Sequence, residues 1–334
     1  MDQDKPFRYR SLFWPIILVG VGVLWLLANL DVIPREGWLV LLRFWPVFLI
    51  GIGLDLIIGR RSPILGAAVG LGVVGLAVLL VFIGPNLGIV TLPDITTNTY
   101  TEPIGTASSA RIDLDLSIGV STITASSDSN NLFEAEISHV GEIDYNVSGD
   151  EEKTIRLSEK EWDFNFTRIE SWEEDELEWN IGLSPDVPLY LDLEGGIGLS
   201  TLDLGELDLT GVEINSGVGD MIITLPATGS SYEVNVDVGV GRLVLRLEDG
   251  IDAEMRIEGG VGETRIEVPS GVGVRLDGEI GVGDIRVPSS YDRLSYDEDQ
   301  TIGESGVWQS PNYASADHKI NITFEGGVGD LTIR

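Results

Sequence analysis

The chain has 334 residues, with 54 Asp or Glu, 21 Lys or Arg, two His and no Cys, for a formal net charge of −33. The charge is uneven: residues 1–85 hold seven basic and five acidic side chains, leaving fourteen basic and forty-nine acidic for the rest. A body this acidic repels polyphosphate and excludes sequence-nonspecific nucleic-acid binding, and without cysteine there is no disulfide, thiolate metal site or cysteine nucleophile.

After a short N-terminus, 1–11, three apolar stretches fill residues 12–85, at 12–30, 38–58 and 64–84. At about 1.5 Å per residue each reaches roughly the 30 Å of a bilayer core, which predicts three transmembrane α-helices. A cleaved signal peptide would end in a small-residue site, whereas Asn29-Leu30-Asp31 leads into a second span. Lys5, Arg8 and Arg10 precede the first span, Arg60-Arg61 separate the second from the third, and no Lys or Arg follows until Arg111. The positive-inside rule puts the N-terminus in the cytoplasm and the acidic body outside, in a multi-pass cell-membrane protein with the lipid bilayer as its first partner.

The first two spans repeat each other at an offset of 31: Phe13-Trp14-Pro15 with Gly20-Val21-Gly22, then Phe44-Trp45-Pro46 with Gly51-Ile52-Gly53. Inverted repeats of this kind occur in transporters, but two short hairpin helices cannot enclose a pathway. Aromatic-Pro starts suit an interfacial belt, and Gly-x-Gly permits close packing. Arg43 and Asp55 are the charged residues within these spans. Each lies near a span end, so it either snorkels to the interface or meets a polar group on a partner membrane protein. In the third span Gly66 and Gly70, with Gly72 and Gly75, give small-xxx-small spacing for a close helix from the same hairpin, a second copy or another protein.

Residues 86–109 read as a linker. Beyond them the pattern becomes alternation, as in Ile251-Asp252-Ala253-Glu254-Met255-Arg256-Ile257-Glu258, the signature of a strand with one buried and one wet face. A Gly-[Val/Ile]-Gly motif then recurs at Gly196, Gly217, Gly239, Gly260, Gly281 and Gly327. The intervals of 21 to 22 residues, with a last one near two periods, predict an all-β, solenoid-like repeat domain over 191–334. An earlier copy, Ser117-Ile118-Gly119, places the start of the architecture near residue 110. Within 110–190 an acidic, aromatic run from Trp162 through Trp172 to Trp179 interrupts the motif. Exposed tryptophans beside carboxylates would suit a basic partner or a carbohydrate; Trp162, Phe164 and Phe166, alternating with polar residues, would instead be the buried side of ordinary strands. Residues 289–316 are either a degenerate rung or a loop.

Calcium-binding rolls repeat every nine residues, a period this chain lacks. The Gly-x-Gly pairs sit between strands without the following helix that a dinucleotide loop needs. His139 and His318 belong to no metal-spaced cluster. No catalytic, cofactor or metal residues are predicted, and no specific small molecule.

The two Phe-Trp-Pro helices, with Leu24-Trp25-Leu26-Leu27-Ala28-Asn29-Leu30 ending the first, resemble the transmembrane module of LiaI/LiaF-like bacterial membrane proteins. The Gly-Val-Gly-Asp corners downstream resemble the toast-rack domain that accompanies that module. The resemblance implies a non-enzymatic role in cell-envelope stress, with the helices contacting a partner such as a membrane histidine kinase. The contrasting expectation is a self-associating surface scaffold or binding module.

Overall fold

The computed structural model describes residues 11–30, 32–33, 37, 40–41, 44–59, 62–84, 95–127, 130–160, 177–296 and 303–334. They fall into two compact units that divide between Asp94 and Ile95.

The first unit is helical. α1 is Phe13–Asn29, α2 is Trp45–Leu54 continued by a π-helical turn at Asp55–Gly59, and α3 is Pro63–Ile83. Only α3, with 21 residues and a mean hydropathy of 2.7, is long and apolar enough by itself to cross a membrane among the described residues; α1 and α2 are apolar but shorter. The expected second span, 38–58, therefore does not appear as one continuous α-helix. α2 starts at Trp45 with Phe44 as its N-cap and Pro46 in the first turn, because proline lacks the N–H that an uninterrupted helix would use.

Both short helices pack on α3 through glycine. A Cβ on Gly20 of α1 would lie 2.5 Å from a Val74 methyl, and one on Gly51 of α2 would lie 2.5 Å from a Val73 methyl. Gly20 and Gly51 are equivalent positions of the Phe-Trp-Pro repeat, so each copy seats the same glycine on adjacent valines of α3. Gly22 and Gly53 have nothing within 4 Å. Contacts along α1 and α3 ascend together, Ile16 at Gly70 and Gly20 at Val74, whereas α2 descends, Gly51 at Val73 and Asp55 at Gly66. α1 thus runs parallel to α3, and α2 runs antiparallel.

The second unit is all-β. Its strands are β1 (Thr96–Pro103), β2 (Ser109–Ala125), β3 (Asn131–His139), β4 (Ile143–Ser148), β5 (Glu152–Glu159), β6 (Glu178–Leu183), β7 (Leu189–Asp203), β8 (Leu209–Leu225), β9 (Tyr232–Leu247), β10 (Ala253–Glu267), β11 (Gly273–Arg286), β12 (Asp292–Tyr296), β13 (Glu304–Gln309) and β14 (Lys319–Ile333). Seven of them, in the spatial order β2-β7-β8-β9-β10-β14-β11, lie parallel, with their glycine motifs aligned: Ile118 beside Ile197, then Val218, Val240, Val261, Val328 and Val282. The C-terminal strand β14 is inserted between β10 and β11 rather than following β11.

Each long strand bends at the second glycine of its motif. Gly119, Gly198, Gly219, Gly241, Gly262, Gly283 and Gly329 all have φ between 135° and 152°, a region that L side chains avoid. Stacking imposes the same choice independently, because a Cβ on Gly219 would collide with the carbonyl of Gly198, and one on Gly241 with that of Gly219. The bend reverses the inward parity. In β8, Val212 and Ile214 are buried before the corner and Met221, Ile223 and Leu225 after it, so the two arms enclose one apolar core.

The ends are finished differently. At the β2 end the first arm is paired by β5, which carries β4, and the second arm by β6, followed by β3 and β1. β1 lies inside the interval 86–109 expected to be a linker; its Thr-rich sequence lacks apolar alternation and pairs along β3. At the other end β13 covers Arg275–Ile280 of β11 and β12 pairs with β13, so part of 289–316 is an antiparallel cap rather than a further parallel rung.

Candidate functional site

In the helical unit, Asp55 is 1% exposed. Ser11 Oγ donates to Asp55 Oδ1 at 2.5 Å and accepts from the backbone N–H of Phe13 at 3.1 Å, which ties the start of α1 to the end of α2. Gly66 completes this node: a Cβ there would stand 3.0 Å from Asp55 Oδ1 and strike Ser11 Oγ. One turn on, a Cβ on Gly70 would lie 3.3 Å from the Ile16 side chain and from the Phe13 carbonyl oxygen. Asp55, Gly66 and Gly70 therefore face their own helices: of the alternatives left open, the glycines take the same-hairpin one, and Asp55 meets Ser11 of its own chain. A carboxylate among apolar helices is costly unless hydrogen-bonded, and Ser11, forty-four residues away in sequence, supplies that bond. Arg43 and Trp172 lie outside the described residues, as does the Trp162–Phe166 segment.

α1 and α2 leave between them, over α3, an apolar groove of about 310 Å³ lined by Ile17, Val21 and Leu24 of α1, Phe48 of α2, and Ala77 and Leu80 of α3. Trp45 at its rim is 61% exposed. The groove offers shape and apolar contact and carries no chemistry.

In the β unit Trp179 is 1% exposed. It sits on β6 opposite Ile137 of β3 and Ser121 of β2, which corrects its reading as a partner contact: alternation turns it inward with Ile181 and Leu183. Several arginines pair with two carboxylates each, on their own or on neighbouring strands. Arg256 bonds Glu258 at 2.9 Å and Glu325 at 3.0 Å, Arg242 lies 3.6 Å from both Asp220 and Glu263, and Arg111 pairs with Asp113 and Asp192. Such solvent-exposed pairs are screened and add little to stability.

The two histidines occupy opposite environments. His318 Nδ1 lies 2.8 Å from Asp252 Oδ2, while Asp252 Oδ1 accepts the Lys319 N–H at 2.7 Å, pinning the entry of β14 to β10. The hydrogen bond to Asp252 raises the His318 pKa. Burial pushes Asp252 up, but the bonds from His318 and Lys319 prevail and lower it. His139 is 3% exposed, with Asn98 Nδ2 at 3.1 Å from its Nε2, and burial lowers its pKa. Among the described residues no three His, Asp or Glu side chains are grouped so as to hold a metal ion.

Residues 12–57 match the LiaI-LiaF-like transmembrane region, residues 94–246 the N-terminal domain of toast_rack, and residues 230–333 the C-terminal domain described as cell wall-active antibiotics response LiaF. No curated protein matches the chain. Among solved structures, a candidate cell adhesion protein from Clostridium sporogenes is 21% identical, with a TM-score of 0.47 over 72% of this chain and 99% of that one. A candidate adhesin from Bacteroides fragilis is 15% identical, with a TM-score of 0.35 over 72% of this chain and 97% of that one.

Proposed function

The chain belongs to the LiaF-like toast-rack membrane proteins, and on that basis we propose that it is a non-enzymatic regulator of a bacterial envelope-stress response. Its helices engage a membrane partner, such as a sensor histidine kinase, while the acidic β unit works outside the cell as a β-solenoid of 21- to 22-residue turns. The observation that carries this reading is the open groove between α1 and α2. It is apolar, it is shaped by three helices, and among the described residues the Ser11–Asp55 contact lies outside it. The parallel course of α1 and α3, with α2 antiparallel, supports an in-out-in-out threading despite the short helices.

The deciding experiment deletes the gene and measures the transcriptional response to cell-wall-active antibiotics. The regulatory reading expects an altered response, and an unchanged one removes it. Photocrosslinkers at Val21 and Phe48 in intact membranes should capture a protein with kinase helices. For the threading, Ser270→Cys, at an exposed turn, should react with an impermeant thiol reagent in intact cells; labelling only after lysis would place the β unit in the cytoplasm.

A second reading, a self-associating surface scaffold, has one observation in its favour. β13 covers only the first arm of β11, and no strand pairs the outer side of the second arm among the described residues. Glu304 Oε2 already accepts the Ile285 N–H there at 2.9 Å, which blunts that edge. Crosslinking that yields only homo-oligomers would favour the scaffold.

A further inference from the structure

Eight large hydrophobic side chains are exposed in the described β unit: Ile197, Leu199, Val218, Val240, Val261, Val282, Leu294 and Val328. All but Leu294 belong to the glycine corners. The middle residues of the motif, each 45% to 50% exposed, are register partners on successive parallel strands, with Ile118 half-buried at one end. At about 4.8 Å per strand they form a continuous aliphatic ridge on the order of 30 Å long. Glycines on both sides of every middle residue except Ile118, which follows Ser117, leave the ridge standing clear. Soluble surfaces rarely keep so ordered an apolar feature without a use, and the fold does not require it, since the glycines alone make the bend.

Charge selects the occupant. Three residues before the ridge runs a second row in the same register: Asp115, Glu194, Asn215, Asp237, Glu258, Glu325 and Glu279. Six of the seven are acidic; Arg256 bridges Glu258 and Glu325, but the row keeps a large excess of negative charge, and like charges directly opposite one another cost stability. Two residues after the ridge, Asp220, Glu263, Asp330 and Asp284 extend the acid along the other flank, with Arg242 among them. A second copy docking ridge to ridge would set carboxylate row against carboxylate row, and an anionic lipid surface would meet the same repulsion.

We propose that the corner ridge is a docking surface for a basic, amphipathic polypeptide segment, whose apolar face lies along the valines and whose Lys or Arg side chains reach the flanking carboxylates. This stands apart from the helix-groove reading, and either can fail without the other.

The test uses the full chain in phosphatidylcholine nanodiscs, with empty nanodiscs as the lipid control, and a fluorescein-labelled Leu/Lys amphipathic peptide of about 18 residues, long enough as a helix to span the ridge. The fourfold variant V218T/V240T/V261T/V328T preserves side-chain shape at exposed positions and should weaken binding about tenfold or more. D237N/E258Q/E325Q should also weaken it, and a Leu/Glu peptide of the same length should not bind. A benzophenone side chain at Val240 in the otherwise unaltered chain should crosslink to the Leu/Lys peptide, a readout independent of how the Thr variant folds. Equal affinity for the unaltered chain and the Thr variant would mean diffuse charge attraction and overturn the proposal. So would equal binding of the Leu/Glu peptide, or crosslinks from Val240 that join only two copies of the chain.

Discussion

Asp252 holds the residue before β14 by its side chain and the next by its backbone, so the join between β10 and β14 depends on the charge of His318. The raised His318 pKa gives stabilisation that is complete below the unfolded value, about 6.5, and is lost as pH rises through the higher folded value. The lowered Asp252 pKa gives stabilisation present above about 3.9 and lost as pH falls through the folded value. The pair therefore contributes most between roughly pH 4 and 6.5. His139 acts the other way: with its pKa lowered by burial, stability starts to fall once pH drops below about 6.5. In His318→Asn the melting-temperature deficit should be widest near pH 5.5 and shrink as pH rises through the raised folded pKa of His318, where Asp252 loses its imidazolium partner. A deficit that does not change with pH would assign His318 a packing role only. Neither environment was legible in the sequence, because the groups that set them, Asn98 and Asp252, lie 41 and 66 residues away.

The glycine corners were the most legible elements, since both the positive φ and the neighbouring carbonyl demand the same residue at a fixed interval. Gly241→Ala meets both obstacles in mid-stack and should cost about 3 kcal/mol or more, read as a drop in the urea midpoint with Gly229→Ala, open around its Cβ but also at positive φ, as the control for φ alone. Equal losses in the two would show that the carbonyl contact adds nothing. In the helices the small-residue spacing was visible, but its occupant was not: Gly66 and Gly70 close on α1, and the Asp55 node needed Ser11. Because the chain has no cysteine, the pair Gly20→Cys and Val74→Cys reports the α1–α3 contact without background. A Cβ on Gly20 would lie 3.3 Å from that of Val74, near disulfide reach. Oxidation in membranes should give a fast-migrating crosslinked species. Adding Gly70→Leu, an overpacking change worth about 1 to 3 kcal/mol, should reduce its yield, and an undiminished yield would contradict the contact at Ile16.

For the whole molecule, 54 carboxylates against 21 basic side chains make self-repulsion the leading long-range electrostatic term, despite the ion pairs between rungs. Raising ionic strength from about 0.02 M to 0.5 M, which shortens the screening length severalfold, should raise the melting temperature of the β unit; a fall would show that the Arg bridges dominate. The repeat made the stack readable but hid its order, because every rung offers the same motif to its neighbours. The 46 residues from Gly281 to Gly327 read as two periods, whereas β14 turns back to pair with β10 and β11 along thirteen register positions each. The segment that completes the interior is consequently made after both of the strands it joins. Rungs from β2 to β10 can form while the chain is still growing, as N-terminal parts generally do, but β11 with its cap must wait, displaced, for β14 to arrive. A chain stopped after His318 should leave the facing edges of β10 and β11 bare and be cleared by proteases, so the stack is closed from within, by a strand that arrives late, and not by extension at its end.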